Sequence, residues 1–257
     1  CIRDSYNSER LKYNQMNYNN DVELDNFCSQ CLLVINAVGP SFKINDKIAL
    51  HALRNNCHYI DIGGYGILRD LLKPYEKSIE AQKLCFIIGV GWMPGISGVF
   101  SKTIIETHLN SPENTNFNIY YGAVDNWSYS STYDLAASSM GKTRSYVYSH
   151  GKEIQVSPFR YTHHKFFPFI GHKKICMPSF DEQLTQLATS LKQIRKISTF
   201  IMLNDYISMG KFMFIKIFYK HNLNKATLML QDDYQRLVKK ENKWGSVICQ
   251  VSKIEPE

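Results

Sequence analysis

The sequence predicts an α/β fold in which a doubly wound parallel sheet is followed by an α+β domain, and three observations carry that expectation. Between residues 32 and 98 the apolar runs LLVINAVGP, CHYIDIGG and LCFIIGVGWMPGISG each end in a glycine-rich or acidic turn. The runs are short and rich in β-branched or aromatic residues, the pattern of strands buried on both faces of a parallel sheet. Helix-length segments separate them, and repeated alternation of this kind over about 70 residues implies right-handed crossovers. Past the polar, proline-containing SPENTN the character changes to NFNIYYGAVDNWSYSSTYD, an aromatic, alternating stretch of β type. A boundary near residue 112 follows, giving domains over 1–111 and 112–257.

In chain order, CIRDSYNSERL reads as a strand leaving into a helix, with Ser5 as a cap. Because the sequence opens on Cys1, in what looks like the middle of an element, the expectation is an internal fragment. YNQMNYNN reads as a weak strand, and DVELDNFCSQC as a short helix beginning at Asn20 or Asp21. LLVINAVGP is a strand of about six residues, and KINDKIALHALRNN carries Ile44, Ile48, Ala49, Ala52 and Leu53 near helical spacing. CHYIDIGG is the second strand, ILRDLLKPYEKSIEAQ a helix kinked or split at Pro74, and LCFIIGVG the third strand. GVGWMPG invites comparison with the dinucleotide fingerprint GxGxxG, but Pro94 stands where its third glycine belongs and no acidic residue follows at the required spacing.

In the second half, ASSMGKT has only the tail of a phosphate-binding loop, with Ala136 in place of its first glycine. RSYVYSHGKEIQVSP reads as a hairpin turning at His150 and Gly151, and KKICMPSFDEQLTQLATSL as a strand and a helix capped at Ser179 or Asp181. The terminal WGSVICQVSKIEPE reads as a strand lacking its partner.

With 44% hydrophobic and 21% charged residues over 257 positions, the composition is that of a globular protein and argues against disorder. The formal +7 is spread along the chain, which speaks against nucleic-acid binding and is compatible with anionic ligands such as dinucleotide phosphates or carboxylates. Seven scattered cysteines, including the lone CxxC at Cys28 and Cys31, point to a reducing, cytoplasmic setting and not to a disulfide framework or a zinc site. The apolar window 200–220 is interrupted by Asp205, Lys211 and Lys216, which rules out a transmembrane expectation and leaves an interfacial helix as a minor reading.

In an open α/β sheet ligands sit at the carboxyl ends of the strands, so Asn36 to Pro40, Asp61 to Gly64 and Gly89 to Gly95 line one candidate crevice. Asp61 suits either holding a substrate amine or ordering its turn. Tyr65, just after two glycines, projects toward the same place. In the second half Tyr133 and Asp134, and the run Arg160-Tyr161-Thr162-His163-His164-Lys165, gather cationic and titratable groups. Histidine suits proton exchange near neutrality and arginine a substrate carboxylate. Neighbouring histidines on a strand face opposite sides, so at most one of His163 and His164 faces a given crevice.

The runs VINAVGP at 34–40, HYIDIGG at 58–64 and VGWMPGISGVF at 90–100, in this order and spacing, resemble the saccharopine dehydrogenase-like oxidoreductases. The resemblance covers most of residues 1–200 and implies a Rossmann domain followed by an α+β domain, of which the first strand and the GxGxxG turn are missing here. It implies NADP or NAD as cofactor, a small, amino-acid-derived substrate, and hydride transfer to or from a carbon bonded to nitrogen. By the same resemblance Asn36, Ala37, Val38, Gly39 and Pro40 lie along the cofactor, and Gly91, Met93, Pro94 and Gly95 near the nicotinamide. Arg3 falls at the adenosine ribose and would favour NADP. Asp61, Tyr65 and His163 are the candidates for catalysis, and Tyr133, Arg160 and His164 for substrate binding. A homodimer is compatible with this picture. A non-catalytic Rossmann-derived scaffold for a protein partner is the alternative.

Overall fold

The computed structural model describes residues 12–64, 66–108, 112–140, 145–179, 182–219 and 221–253. Two sheets organise them. The first is parallel and three-stranded, with β1 (Leu33–Asn36), β2 (His58–Asp61) and β3 (Phe86–Ile87) side by side in chain order. This is the Rossmann-like arrangement the alternating runs predict.

Ahead of β1 runs helix α1 (Asp21–Cys28). Asn20 caps it by accepting from the amides of Val22 and Glu23, while its own Nδ2 donates to Glu23 at 2.6 Å. The expected weak strand at YNQMNYNN is absent: that stretch is a turn leading into the cap, whose carboxylate Glu23 also accepts from the Asn17 amide. The crossover from β1 to β2 is not the single helix its periodicity suggested. It breaks into α2 (Ser41–Ile44) and α3 (Lys47–Arg54), because Asn45 adopts φ 51° and ψ −131°, a positive-φ conformation that stops a helix. The crossover to β3 does split at Pro74, into α4 (Gly66–Leu72), a 3₁₀ turn over Lys73–Tyr75, and α5 (Glu76–Ala81).

Val34 and Tyr59 of β1 and β2 pack against Leu24, Cys28, Ala49, Ala52, Leu68 and Leu72 of the helices. At about 1.5–3 kcal/mol per fully buried large apolar side chain, this one-sided core holds the first sheet. The strands were expected to be buried on both faces, and they are not. Burial alternates along them, and Leu33, Ile35 and Ile87 on the opposite face are exposed. Consecutive crossovers in one direction put all their helices on the same side of the sheet, so only that side is covered. β3 is also shorter than its run suggested, since Gly89 at φ 70° turns the chain out of the sheet.

After α6 (Ile96–His108) comes the mixed second sheet, opening with β4 (Thr115–Val124). β9 (Lys196–Leu203) pairs parallel to one side of β4, and β10 (Trp244–Lys253) pairs antiparallel to the other along its whole length. The terminal strand therefore has its partner in β4, 120 residues and more upstream, too distant for sequence inspection to supply. The expected hairpin forms as β5 (Tyr146–Ser149) and β6 (Lys152–Gln155), with His150 and Gly151 both at positive φ. β7 (His163–Phe167) and β8 (His172–Pro178) make a second hairpin that joins β9 through β8. YSSTYD, expected to continue the β stretch, is instead the start of α7 (Tyr129–Met140). The short α8 spans Pro158–Tyr161, α9 spans Glu182–Ser190, α10 spans Tyr206–Phe218 and α11 spans Leu223–Val238.

One face of the second sheet packs Phe117 and Ile119 against Ile105 of α6 and Leu184 and Ala188 of α9. Elsewhere Ile175 and Leu203 meet Ala136, Phe212, Ile215, Ala226 and Leu230 of α7, α10 and α11. The window 200–220 is thus the end of β9 and the N-capped α10. Among the described residues no helix is long and apolar enough to cross a membrane.

Candidate active site

The three turns at the carboxyl ends of β1, β2 and β3 converge. Asn36 stands opposite Asp61 in the β1–β2 register, and the Ile62 amide donates to the Asn36 carbonyl at 3.2 Å. The Val90 amide donates to the Asp61 carbonyl at 3.0 Å, and an added Cβ on Gly91 would stand 2.6 Å from the Ile62 carbonyl oxygen. Only a residue without a side chain permits that approach.

Beneath the turns lies a buried polar network. Asp61, 3% exposed, accepts on Oδ2 from the Tyr59 hydroxyl at 2.7 Å and from Asn36 Nδ2 at 2.7 Å, and on Oδ1 from the Gly64 amide. Asn36 Nδ2 also donates to the Tyr59 oxygen at 3.0 Å, and Asn36 Oδ1 accepts from the Val38 amide at 3.0 Å. Burial, and then the neighbouring Asp61 carboxylate, push the Tyr59 hydroxyl far above its ordinary range, so it stays a donor. Every member is satisfied by another, which gives β1 and β2 ends of fixed shape. A small pocket lined by Asn36, Ser41, Phe42, Asp61, Gly64 and Leu68 opens beside this network.

Two elements from the second half close on the turns. Asp134 of α7 accepts from the Ser41 amide at 2.9 Å and from the Phe42 amide at 3.2 Å, and so caps α2, whose own N-cap position is Pro40 with no capping side chain. Burial pushes the Asp134 carboxyl up, and those two backbone donors oppose it. On the same helix Ser130 fills the space in front of Gly39, and the Lys43 ammonium lies 4.5 Å from the Tyr133 ring centre. On the other side Gln183 of α9 grips the third turn by both amide atoms. Its Oε1 accepts from the Gly95 amide at 2.8 Å and its Nε2 donates to the Gly95 carbonyl at 3.2 Å.

Of the sequence-predicted site residues, Asn36, Ala37, Val38, Gly39, Pro40, Asp61, Gly91, Met93, Pro94 and Gly95 therefore lie on the three converging turns, and Tyr133 of α7 lies beneath Lys43 of α2. Arg3 and Tyr65 lie outside the described residues. Arg160, His163 and His164 are not brought to the turns. The His163 ring packs edge-on to Phe200 at 4.8 Å and to Tyr120 at 6.0 Å, with Nδ1 3.0 Å from the Tyr161 carbonyl oxygen. His164 points the other way, its Nε2 2.9 Å from the Tyr206 hydroxyl, as strand alternation requires. Arg160 is exposed on α8.

Lys43 and Gln183 were not anticipated as site residues, and neither was the network role of Tyr59. Nothing in the spacing of Gln183 or Lys43 marks them, since their partners are far away in sequence. Tyr59 carried a signal: a tyrosine two residues before a strand-end aspartate shares its face.

A dinucleotide fits part of this arrangement. Val38, Ile62 and Val90, one at each of the three strand ends, are 38%, 43% and 48% exposed and leave apolar surface, here termed the shelf, at the converging turns. The backbone donors that would hold phosphate are engaged inside the chain: those of Ser41 and Phe42 by Asp134, Gly64 by Asp61, Gly95 by Gln183, and Val38 by Asn36. Lys43, exposed on α2, is a cation on the helix that follows the first turn.

No protein-family model matches this chain. No curated protein matches it. Among solved structures it is similar to the apo form of saccharopine dehydrogenase (L-Glu forming) from Saccharomyces cerevisiae, with TM-score 0.55 and 18% identity over 77% of this chain and 47% of that one. The chain thus spans about half the length of that enzyme. The likeness is one of fold.

Proposed function

We propose that this chain forms the nicotinamide-side half of an NAD(P)-dependent oxidoreductase that moves a hydride to or from a carbon bonded to nitrogen, in an amino-acid-derived secondary amine or imine. The observation that carries the reading is the convergence of three strand-end turns under an exposed apolar shelf, in a fold shared with a saccharopine dehydrogenase. In parallel α/β sheets this is where dinucleotides lie. A bound nicotinamide supplies the hydride acceptor or donor.

The chain's own residues take the following parts. Ala37 to Pro40 and Gly91 to Gly95 border the shelf, with Val38, Ile62 and Val90 presenting apolar surface and excluding water from the ring. Asn36, Tyr59 and Asp61 act as positioning residues: their mutual hydrogen bonds set the shape of the β1 and β2 turns. Lys43 offers a charge for a carboxylate or phosphate, and Tyr133 beneath it offers a hydroxyl to the substrate side. NADP is favoured over NAD through Arg3, and a homodimer is compatible with the reading.

Fluorescence titration of the whole protein with NADPH and with NADH is the direct test. Saturable enhancement of nicotinamide fluorescence is expected, tighter for NADPH, and its absence with both cofactors would sink the proposal. The engagement of the phosphate-side donors within the chain favours one rival, a non-catalytic scaffold of Rossmann ancestry, and the same absence of signal would be its support.

A further inference from the structure

We propose a second ligand site, remote from the strand-end crevice, for a small molecule bearing a carboxylate or phosphate group. It is a cleft at the opposite end of the second sheet, where β4 and β9 begin and the β5–β6 hairpin turns, with Asn116, Ser149, Ile154, Tyr161, Arg195 and Lys196 in its walls. The Val124 end of β4 leads through a short loop into α7, which caps α2 at the crevice, whereas Asn116 lies near the other end. At about 3.3 Å per residue that separation is roughly 26 Å along the strand. The site therefore stands independently of the nicotinamide reading.

Two observations point to an anion and a third to a hydrogen-bond donor beside it. Arg195 and Lys196 are adjacent cations in the wall of one cleft, with no carboxylate within ion-pair range among the described residues. The arginine is held in place by its backbone: its carbonyl accepts from the Ser149 hydroxyl at 3.0 Å and from the His150 amide at 3.1 Å, which ties it to the hairpin tip. Lys196 rests its ammonium 4.9 Å from the Tyr161 ring centre, a weak contact that a full negative charge would replace. The third observation concerns the wall itself. The Asn116 carboxamide oxygen has no donor where it stands and is shut off from solvent, a cost that a turn of the side chain into the cleft, toward a ligand N–H or O–H beside the anionic group, would remove. The tyrosine ring and Ile154 give the same cleft an apolar flank.

The test is to titrate the whole protein, labelled with ¹⁵N, with inorganic phosphate and separately with glycine, at constant ionic strength. Saturable amide shifts at Ser149–Gly151, Arg195–Lys196 and Asn116 are expected with at least one probe. Phosphate alone would identify a phosphorylated ligand, and glycine alone an amino-acid carboxylate. The double variant R195Q/K196Q should weaken the response about tenfold, the loss of charge-assisted hydrogen bonds. The single variant Arg195→Gln, at an exposed side chain, should weaken it in the same direction should the double variant fold poorly. No shifts with either probe, shifts confined to other regions, or affinity unchanged in both variants would overturn the proposal.

Discussion

At the scale of single residues, the buried carboxylates decide the character of the crevice. Asp61 was legible from the sequence as a strand-end aspartate with two available roles, and the structure surrounds it with three donors from Tyr59, Asn36 and Gly64. Asp61→Ala would leave those donors buried without an acceptor, at about 1–3 kcal/mol each before relaxation. Urea unfolding is expected to show a loss on the order of 2–5 kcal/mol, with cofactor binding falling in parallel. An unchanged midpoint with lost activity would return Asp61 to direct contact with substrate. Asp134 was named in the sequence only beside Tyr133, and its partners in α2 lie more than 90 residues away. No local pattern announces such a pairing.

At the scale of elements, periodicity told helix from strand and punctuation told where they break. Pro74 split its helix as expected, whereas the break at Asn45 depends on a positive-φ asparagine that carries no mark. The helix of the apolar window, α10, is held by a capping residue that is also an ion-pair partner. Asp205 Oδ1 accepts from the Ser208 amide at 2.8 Å, and its carboxylate meets Arg236 of α11 at 2.6 and 3.0 Å. Burial alone would raise the Asp205 carboxyl. The Arg236 and Ser208 hydrogen bonds outweigh it and bring it from 3.8 down to about 2. A carboxyl depressed in the folded state adds stability above its unfolded pKa, and that stability is lost as pH falls through the folded value. Thermal melts between pH 5 and pH 2 should therefore lose midpoint more steeply in the parent than in Asp205→Asn, once each is referred to its own value at pH 5. Parallel curves would remove Asp205 from the acid sensitivity.

At the scale of the whole molecule, the alternating apolar runs sufficed to expect the parallel sheet, and the meeting of its three turns followed from one topological rule. The second sheet was only partly legible, because its pairings of β4 with β9 and β10 join segments far apart in the chain. The same distance hides how the two halves are fastened, by Asp134 on α2 and Gln183 on Gly95. Gln183→Ala removes a two-point hold on the third turn. Amide hydrogen exchange at Gly95 is expected to speed up by roughly tenfold, the equivalent of about 1.4 kcal/mol, while β4 and β9 keep their protection. Equal exchange in the variant would show that the turn holds itself.

The pairing of β10 along the full length of β4 also sets a schedule. β4 is synthesised more than a hundred residues before the strand that covers one of its edges. At about 5–20 residues per second, it waits on the order of ten seconds with that edge open. Closing so long a loop is entropically slow as well, so completion of the sheet comes late. For that interval Phe117, Ile119 and Tyr121 belong to an unfinished surface, and the burden of keeping the newborn chain from its neighbours falls on whatever attends it at the ribosome.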